Sequence, residues 1–342
     1  MARPSSNEKI HSNCFSQESN MRAIRVHQHG GPEVMKLEDI PMPQVTEGKA
    51  LVKLQAIGVN FVDVYHRTGL YPLPLPFTPG MEGSGTVEQV GHEVSEIRPG
   101  DRVSFAVGPG GYAEYALISA RQLVKLPARI DFGDAAAATL QGMTAHYLTH
   151  STFPLKQGDK VLLHAAAGGA GLLITQMAKK RGAWIAGTVS SDEKAKLAKE
   201  AGIDEVVNYS RSDFVAEVKR FTNGEGVNVV YDSVGKSTYQ GSLDCLTTRG
   251  TLVLFGQASG LVPPIDPGSL ASKGSLFLTR PLLGHYVATR EELLQRAGDV
   301  LQWVENGQLK LRIERSFPLD QCAEAHRQLE SRSTTGKILL VP

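Results

Sequence analysis

The sequence predicts an α/β protein in which a doubly wound parallel sheet is inserted into a β-rich domain. Three observations carry that expectation. The first third reads as short strands and turns, the middle alternates apolar strands with amphipathic helices, and the tail starts new elements after that alternation has used up a sheet. A chain of 342 residues is long enough for two separate cores.

The elements follow in order. Residues 1–20 are polar with mixed charge, and a disordered extension is expected there rather than a transit peptide, which avoids acids. From Met21 to about Pro127, segments such as RAIRVHQ, ALVKLQAIGVN, GSGTVEQVG and DRVSFAV are strand-like, broken by Gly30-Gly31, Pro79-Gly80 and Pro99-Gly100-Asp101. Alanine and leucine dominate 131–150, a helix. Strands are then expected at 160–164, 184–189, 205–209, 227–232 and 251–256. Helices separate them at 169–181, 192–201 and 213–222 and around Leu243. The strands are continuous apolar runs, as in a parallel sheet covered on both faces. After Pro281 come a helix at 290–306, a strand at 309–317, a helix at 320–331 and a strand at 337–341, and this tail is assigned back to the first domain. The expected division is an extension to residue 20, a β-rich first domain over 21–142 and 282–342, and an inserted domain over 143–281.

Composition excludes several classes. Hydrophobic residues at 41% and charged residues at 21% are ordinary for a globular protein, and a net charge of +1 gives no electrostatic case for nucleic acid or an anionic membrane. No apolar run is long enough to span a bilayer. Cys14, Cys245 and Cys322 are far apart and lack Cys-x-x-Cys spacing, so neither a disulfide framework nor a structural zinc site is indicated, and a cytoplasmic location is expected.

The strongest chemical signal is HAAAGGAG at 164–171, which follows one strand and opens a helix. Glycines there let backbone N–H groups approach a pyrophosphate at the positive end of a helix. Ala167, Gly168, Gly169, Ala170 and Gly171 are the candidate cradle of a Rossmann domain, although Ala166 stands where G-x-G-x-x-G has its first glycine. The next strand ends in Ser190-Ser191, with no acid at its tip to hold a ribose 2′-hydroxyl. Hydroxyls followed by Lys194 suit a 2′-phosphate, so NADPH is the expected cofactor. Ser190 and Glu193 also have capping-box spacing, and Asp192 and Glu193 keep NAD as the alternative.

Widely separated segments, IGVNFVDVYHRTGLYP, HAAAGGAGL, VVYDSVG and LESRSTTGK, resemble the zeta-crystallin-type quinone oxidoreductases of the medium-chain dehydrogenase/reductase superfamily, over nearly all of 21–342. The resemblance implies a GroES-like β-rich catalytic domain around the Rossmann domain. It implies Asn60 and Tyr65 beside the nicotinamide as catalytic candidates, Asn60 and Thr144 near the cofactor, and Tyr65 and Tyr71 facing substrate. Lys194, Tyr209 and Arg332 would hold the 2′-phosphate and adenosine. Ser233, Phe255, Gly256, Ser259 and the stretch through Leu278, Thr279 and Arg280 would lie on the cofactor path. A homodimer joined at the apolar strand 275–279 is a further implication.

Zinc-dependent members carry a metal-binding cysteine where this chain has Asn60, and Gly-His-Glu where it has Gly80-Met81-Glu82. An amide and a thioether are poor zinc ligands, so no metal is expected, and Glu82 reads as a structural hydrogen-bonding acid. Reduction of an electron-poor quinone needs less polarisation than dehydrogenation of an alcohol, which makes a quinone the expected substrate. Reduction of activated C=C bonds in alkenals or enones is the alternative, and an NADPH-binding crystallin-like or RNA-binding protein is the alternative from another class.

Overall fold

The computed structural model describes residues 20–342. The expected extension, with Cys14, lies outside the described residues except for Asn20, which opens the first strand.

The first part of the chain forms β1 (Asn20–Val26), β2 (Met35–Pro41), β3 (Lys49–Val59), α1 (Phe61–Arg67), β4 (Glu82–Val90), β5 (Arg102–Phe105), β6 (Tyr115–Ser119), β7 (Val124–Lys125) and α2 (Phe132–Tyr147). The middle forms β8 (Lys160–Leu163), α3 (Gly169–Lys180), β9 (Trp184–Val189), α4 (Asp192–Ala201), β10 (Glu205–Asn208), α5 (Phe214–Phe221), β11 (Val227–Asp232), α6 (Tyr239–Asp244), β12 (Leu246–Leu254), α7 (Pro267–Ser272) and β13 (Phe277–Thr279). The tail adds α8 (Leu283–Tyr286), α9 (Arg290–Glu305), β14 (Ile313–Pro318), α10 (Cys322–Glu330) and β15 (Lys337–Val341).

Strands β8 to β13 make a six-stranded parallel sheet in the order β10-β9-β8-β11-β12-β13. Successive residues of its strands enter cores on opposite faces. Val161 and Leu163 join one and Leu162 the other, and Val229 and Tyr231 are likewise separated from Val230. Burial on both sides is why these strands read as unbroken apolar runs. The order reverses at β8, and the crevice beyond the carboxyl ends of β8 and its neighbours is where this architecture places a ligand.

The second sheet runs β14-β15-β3-β4-β5-β7, with β6 added on β3. Strand β15 lies antiparallel on β3, pairing Ile338 with Val59, so the last strand of the chain completes a sheet begun by one of the first. Helix α9 packs on α2 and β7 of the first part. Its Leu293, Ala297, Val300 and Leu301, spaced to share one helical face, enter a core that holds Ala135 and Ala138 of α2 as well as Leu163 and Ile174. Strand β13 is shorter than expected, because Ser275 has φ of 56°, which a strand does not accept.

Candidate functional site

A cleft of about 1020 Å³ runs along the crevice, walled on one side by the carboxyl ends of the parallel strands and on the other by α1, α2 and the segment before β15. Its centre is the turn between β8 and α3. A side-chain Cβ at Gly171 would run into the backbone carbonyls of Ala165 and Ala166, so only glycine lets helix and turn approach so closely there, whereas one at Gly169 would meet the flexible end of Gln141. Gly168–Gly171 line the cleft, and the N–H groups of the first turn of α3, which starts at Gly169, have no partner within the helix. Gly168 also forms a parallel backbone bridge with Gly336, which joins the turn to the far wall.

At one end of the cleft stand Ser190, Lys194, Tyr209 and Arg332. Ser191 does not line it. Its side chain caps α4, accepting the Lys194 N–H at 3.3 Å, so of the two expected serines only Ser190 faces the cleft. The Lys194 ammonium donates to the Arg332 carbonyl oxygen, which ties the two domains at this point, and partial burial lowers its pKa. Asp192, the acid that kept NAD in view, points elsewhere: Arg211 holds it at 2.8 Å and the Asn208 amide donates to it at 3.1 Å.

The middle and far end contain Thr144, Ser233, Phe255, Gly256, Asn60, Tyr65, Tyr71 and Arg280. Three expected residues are elsewhere. Ser259 turns away to donate to the Val234 carbonyl at 2.7 Å and to accept the Ser237 N–H at 3.0 Å, and Leu278 and Thr279 belong to the outer strand β13. Tyr65 Oη accepts the Gln257 N–H at 3.0 Å. Tyr71 Oη accepts from Gln257 Nε2 at 3.2 Å and from Arg280 Nη2 at 2.8 Å. Each phenol accepts from the protein and retains its own O–H to donate into the cleft. Burial raises the Tyr65 pKa, which keeps that proton in place. Gln257 has no cleft-facing motif of its own, and sequence reasoning missed it.

Asn60 is the main correction. Its Nδ2 donates to Glu82 at 2.9 Å and to the Gly58 carbonyl at 3.2 Å, while its Oδ1 accepts from Lys337 Nζ at 2.8 Å and from Gln141 Nε2 at 3.4 Å. Both amide protons are committed within the protein, so Asn60 positions neighbouring groups and has no free donor for a substrate. Glu82, fully buried, also accepts the Leu140 N–H and the Lys337 ammonium at 2.5 Å. Lys337, only 2% exposed, was missed; the one available signal was a lysine opening an otherwise apolar strand.

The chain matches known families on both sides of the cleft. Residues 46–128 match the alcohol dehydrogenase GroES-like domain and residues 169–298 the zinc-binding dehydrogenase domain. The quinone oxidoreductase of Pseudomonas aeruginosa is 45% identical over 323 residues, covering 94% of this chain and 99% of that protein. The chain belongs to the quinone oxidoreductase family. A crystal structure of the Escherichia coli quinone oxidoreductase complexed with NADPH is similar to it, with a TM-score of 0.92 at 43% identity over 94% of this chain and 100% of the other. A 2-haloacrylate reductase from a Burkholderia species is 41% identical over 329 residues, 94% of this chain and 98% of its own.

As a quinone oxidoreductase the chain has residues that fit NADPH. The glycine turn admits a pyrophosphate, two cationic side chains stand where a 2′-phosphate would reach, and the nearby acid is already paired. The residues do not fit zinc. At the position where zinc-dependent relatives hold the metal, the side chains are an amide, a thioether and a carboxylate already bound to an ammonium group.

Proposed function

We propose that this chain reduces quinones with NADPH, the hydride passing from the nicotinamide directly to the quinone without a metal. One observation carries the reading: a single cleft joins a pocket with two cations, Lys194 and Arg332, to a pair of phenolic donors, Tyr65 and Tyr71, backed by Arg280. Gly168–Gly171 would seat the pyrophosphate, and Ser190, Lys194, Tyr209 and Arg332 the adenosine and its phosphate. Ser233, Phe255, Gly256 and Thr144 would flank the nicotinamide. When bound, NADPH supplies the hydride. The phenols orient the acceptor and donate hydrogen bonds to the oxygen on which negative charge grows, which a low-dielectric cleft strengthens.

Reduction of activated C=C bonds is the second reading, supported by the 41% identity to a 2-haloacrylate reductase. A single assay separates the two: NADPH oxidation followed with ortho-quinones, para-quinones, enones and 2-haloacrylate, with and without prolonged chelator treatment. Quinone turnover unaffected by chelation is expected. Turnover of enones alone would favour the second reading, and activity lost together with bound zinc would end the metal-free one.

The reading includes a homodimer and a cytoplasmic location. Strand β13 is an outer edge of the parallel sheet, with Phe277 60% exposed, and a two-fold contact there would extend the sheet across both subunits. A monomeric mass in sedimentation at micromolar concentration contradicts it. Cys245 and Cys322 are buried free thiols, which suits a reducing compartment, and among the described residues no helix is long and apolar enough to cross a membrane.

A further inference from the structure

Behind the substrate end of the cleft lies a chain of buried polar groups that the reaction itself does not use. Arg67 and Asp63 on α1, Tyr112 before β6 and His326 on α10 are each no more than 1% exposed. Arg67 Nη1 lies 2.9 Å from His326 Nδ1. A guanidinium only donates, so Nδ1 is the acceptor. Burial holds the ring neutral, its pKa pushed down to about 3, and its single proton therefore resides on Nε2. That N–H donates to Tyr112 Oη at 2.9 Å, and Tyr112 donates in turn to Asp63 Oδ2 at 3.2 Å.

Asp63 is where the chain ends. Its Oδ2 also accepts the Asn60 N–H at 2.9 Å, and its Oδ1 accepts the Met81 N–H at 3.0 Å. Asn60 and Met81 both line the cleft, one at the start of α1 and the other just before β4. One carboxylate therefore fixes the spacing of two separate pieces of the substrate wall. All three of its partners donate, so they fit the ionised acid and leave a protonated one without an acceptor. Burial pushes Asp63 up to about 7, and the two backbone N–H groups, Lys337 and Tyr112 oppose that rise. At the other end Arg67 is anchored by Glu330 at 2.6 Å and by the Gly30 carbonyl at 3.1 Å.

We propose that Asp63 is a positioning residue for the substrate wall, held as a pure acceptor by a one-way relay of hydrogen bonds from Arg67 through His326 and Tyr112. This rests on the reading that this end of the cleft receives the quinone. A fold alone gives little reason for four such residues, since well-packed apolar side chains stabilise a core at least as well as a buried polar array.

Tyr112→Phe keeps the ring, which packs edge-on against His326, and removes only the hydroxyl. In the full-length protein, with NADPH and 1,4-benzoquinone, this variant should raise the quinone KM by about fivefold, the worth of one hydrogen bond, and leave the NADPH dissociation constant unchanged. Asp63→Asn sets an amide against three donors and should raise it by an order of magnitude or more. Nitrogen-15 NMR of the wild type should find the His326 proton on Nε2. Loss of thermal stability in Tyr112→Phe with kcat and KM unchanged would reduce the array to a structural one and overturn the proposal. A proton on Nδ1 would also overturn it. If the wild type fails to turn over the quinone, the functional reading falls separately, and the tautomer still decides whether the relay exists.

Discussion

The two ends of the cleft are built in opposite ways. At the adenosine end, Ser190 and Lys194 come from the β9–α4 junction and Tyr209 and Arg332 from two other segments, and Lys194 meets Arg332 through its main-chain carbonyl and not through its guanidinium. At the substrate end, Asn60, Glu82, Lys337 and Gln141 are bonded mostly to one another, and Tyr65, Tyr71, Gln257 and Arg280 form a second closed set. The first arrangement recognises charge through independent contacts whose effects should add. The second fixes geometry through contacts that fail together.

The largest effect should come from opening the substrate-end network. Lys337→Met leaves Glu82 buried without its counter-ion and should cost about 3–5 kcal/mol in denaturant-induced unfolding. Lys337→Met combined with Glu82→Gln should recover much of that loss, since neither charge is then stranded. Equal losses in the single and double variants would show that the network is not cooperative.

Acid should act at the same end. His326 is held well below its ordinary pKa of 6.5, at about 3. The unfolded chain therefore takes up a proton there before the folded one does. The stability contributed by His326 is complete above about pH 6.5 and is lost as pH falls towards 3, a change on the order of 5 kcal/mol at the acid limit. His326→Gln should flatten this part of a melting-temperature profile measured from pH 7 to 4. An unchanged slope would place the acid sensitivity elsewhere.

The adenosine end should respond in smaller, separable steps. Lys194→Ala and Arg332→Ala should each weaken NADPH by about tenfold or more, given roughly 1.5–3 kcal/mol per charge-assisted hydrogen bond, and leave NADH little changed. Their effects should be close to additive. Strong coupling between them would erase the contrast with the substrate end, and equal wild-type affinities for NADPH and NADH would end the NADPH assignment at these residues.

Ser191→Ala should be the mildest of these changes. It removes a helix cap worth about 1 kcal/mol and should shift stability by that much while leaving NADPH affinity nearly intact. Ser190→Ala should do the reverse. A drop in NADPH affinity on replacing Ser191 would return it to the binding site.

The same contrast explains what was legible in the sequence. The parallel sheet and the glycine turn are local patterns, set by strand and helix periodicity and by where a Cβ is tolerated, and both are found where the sequence places them. Lys194 is legible from the hydroxyl-rich strand end before it, Tyr209 and Arg332 only from family resemblance, and all three line one pocket. The substrate end was misread because its chemistry depends on long-range partners. Asn60 reads as a free donor until its amide is seen donating to Glu82, a buried acid whose counter-ion, Lys337, lies 255 positions further along the chain. Ser259, Leu278 and Thr279 were placed on the cofactor path because residues near a site in sequence need not face it: Ser259 is held in its own turn, and the other two form an outer strand. Gln257 joins two tyrosines through its backbone and its side chain, and no motif announces that.

The pairing of Lys337 with Glu82 spans 255 positions and sets an order on how the protein is made. Glu82 leaves the ribosome well before the lysine that neutralises it, which follows 255 residues later. Until then the sheet that buries Glu82 also lacks β15, so a nascent chain has neither the strand nor the charge that closes its substrate wall. The glycine turn likewise waits for Gly336 to bridge it. A chain truncated before Gly336 keeps every strand of the parallel sheet, but it lacks both bridges that assemble the cleft.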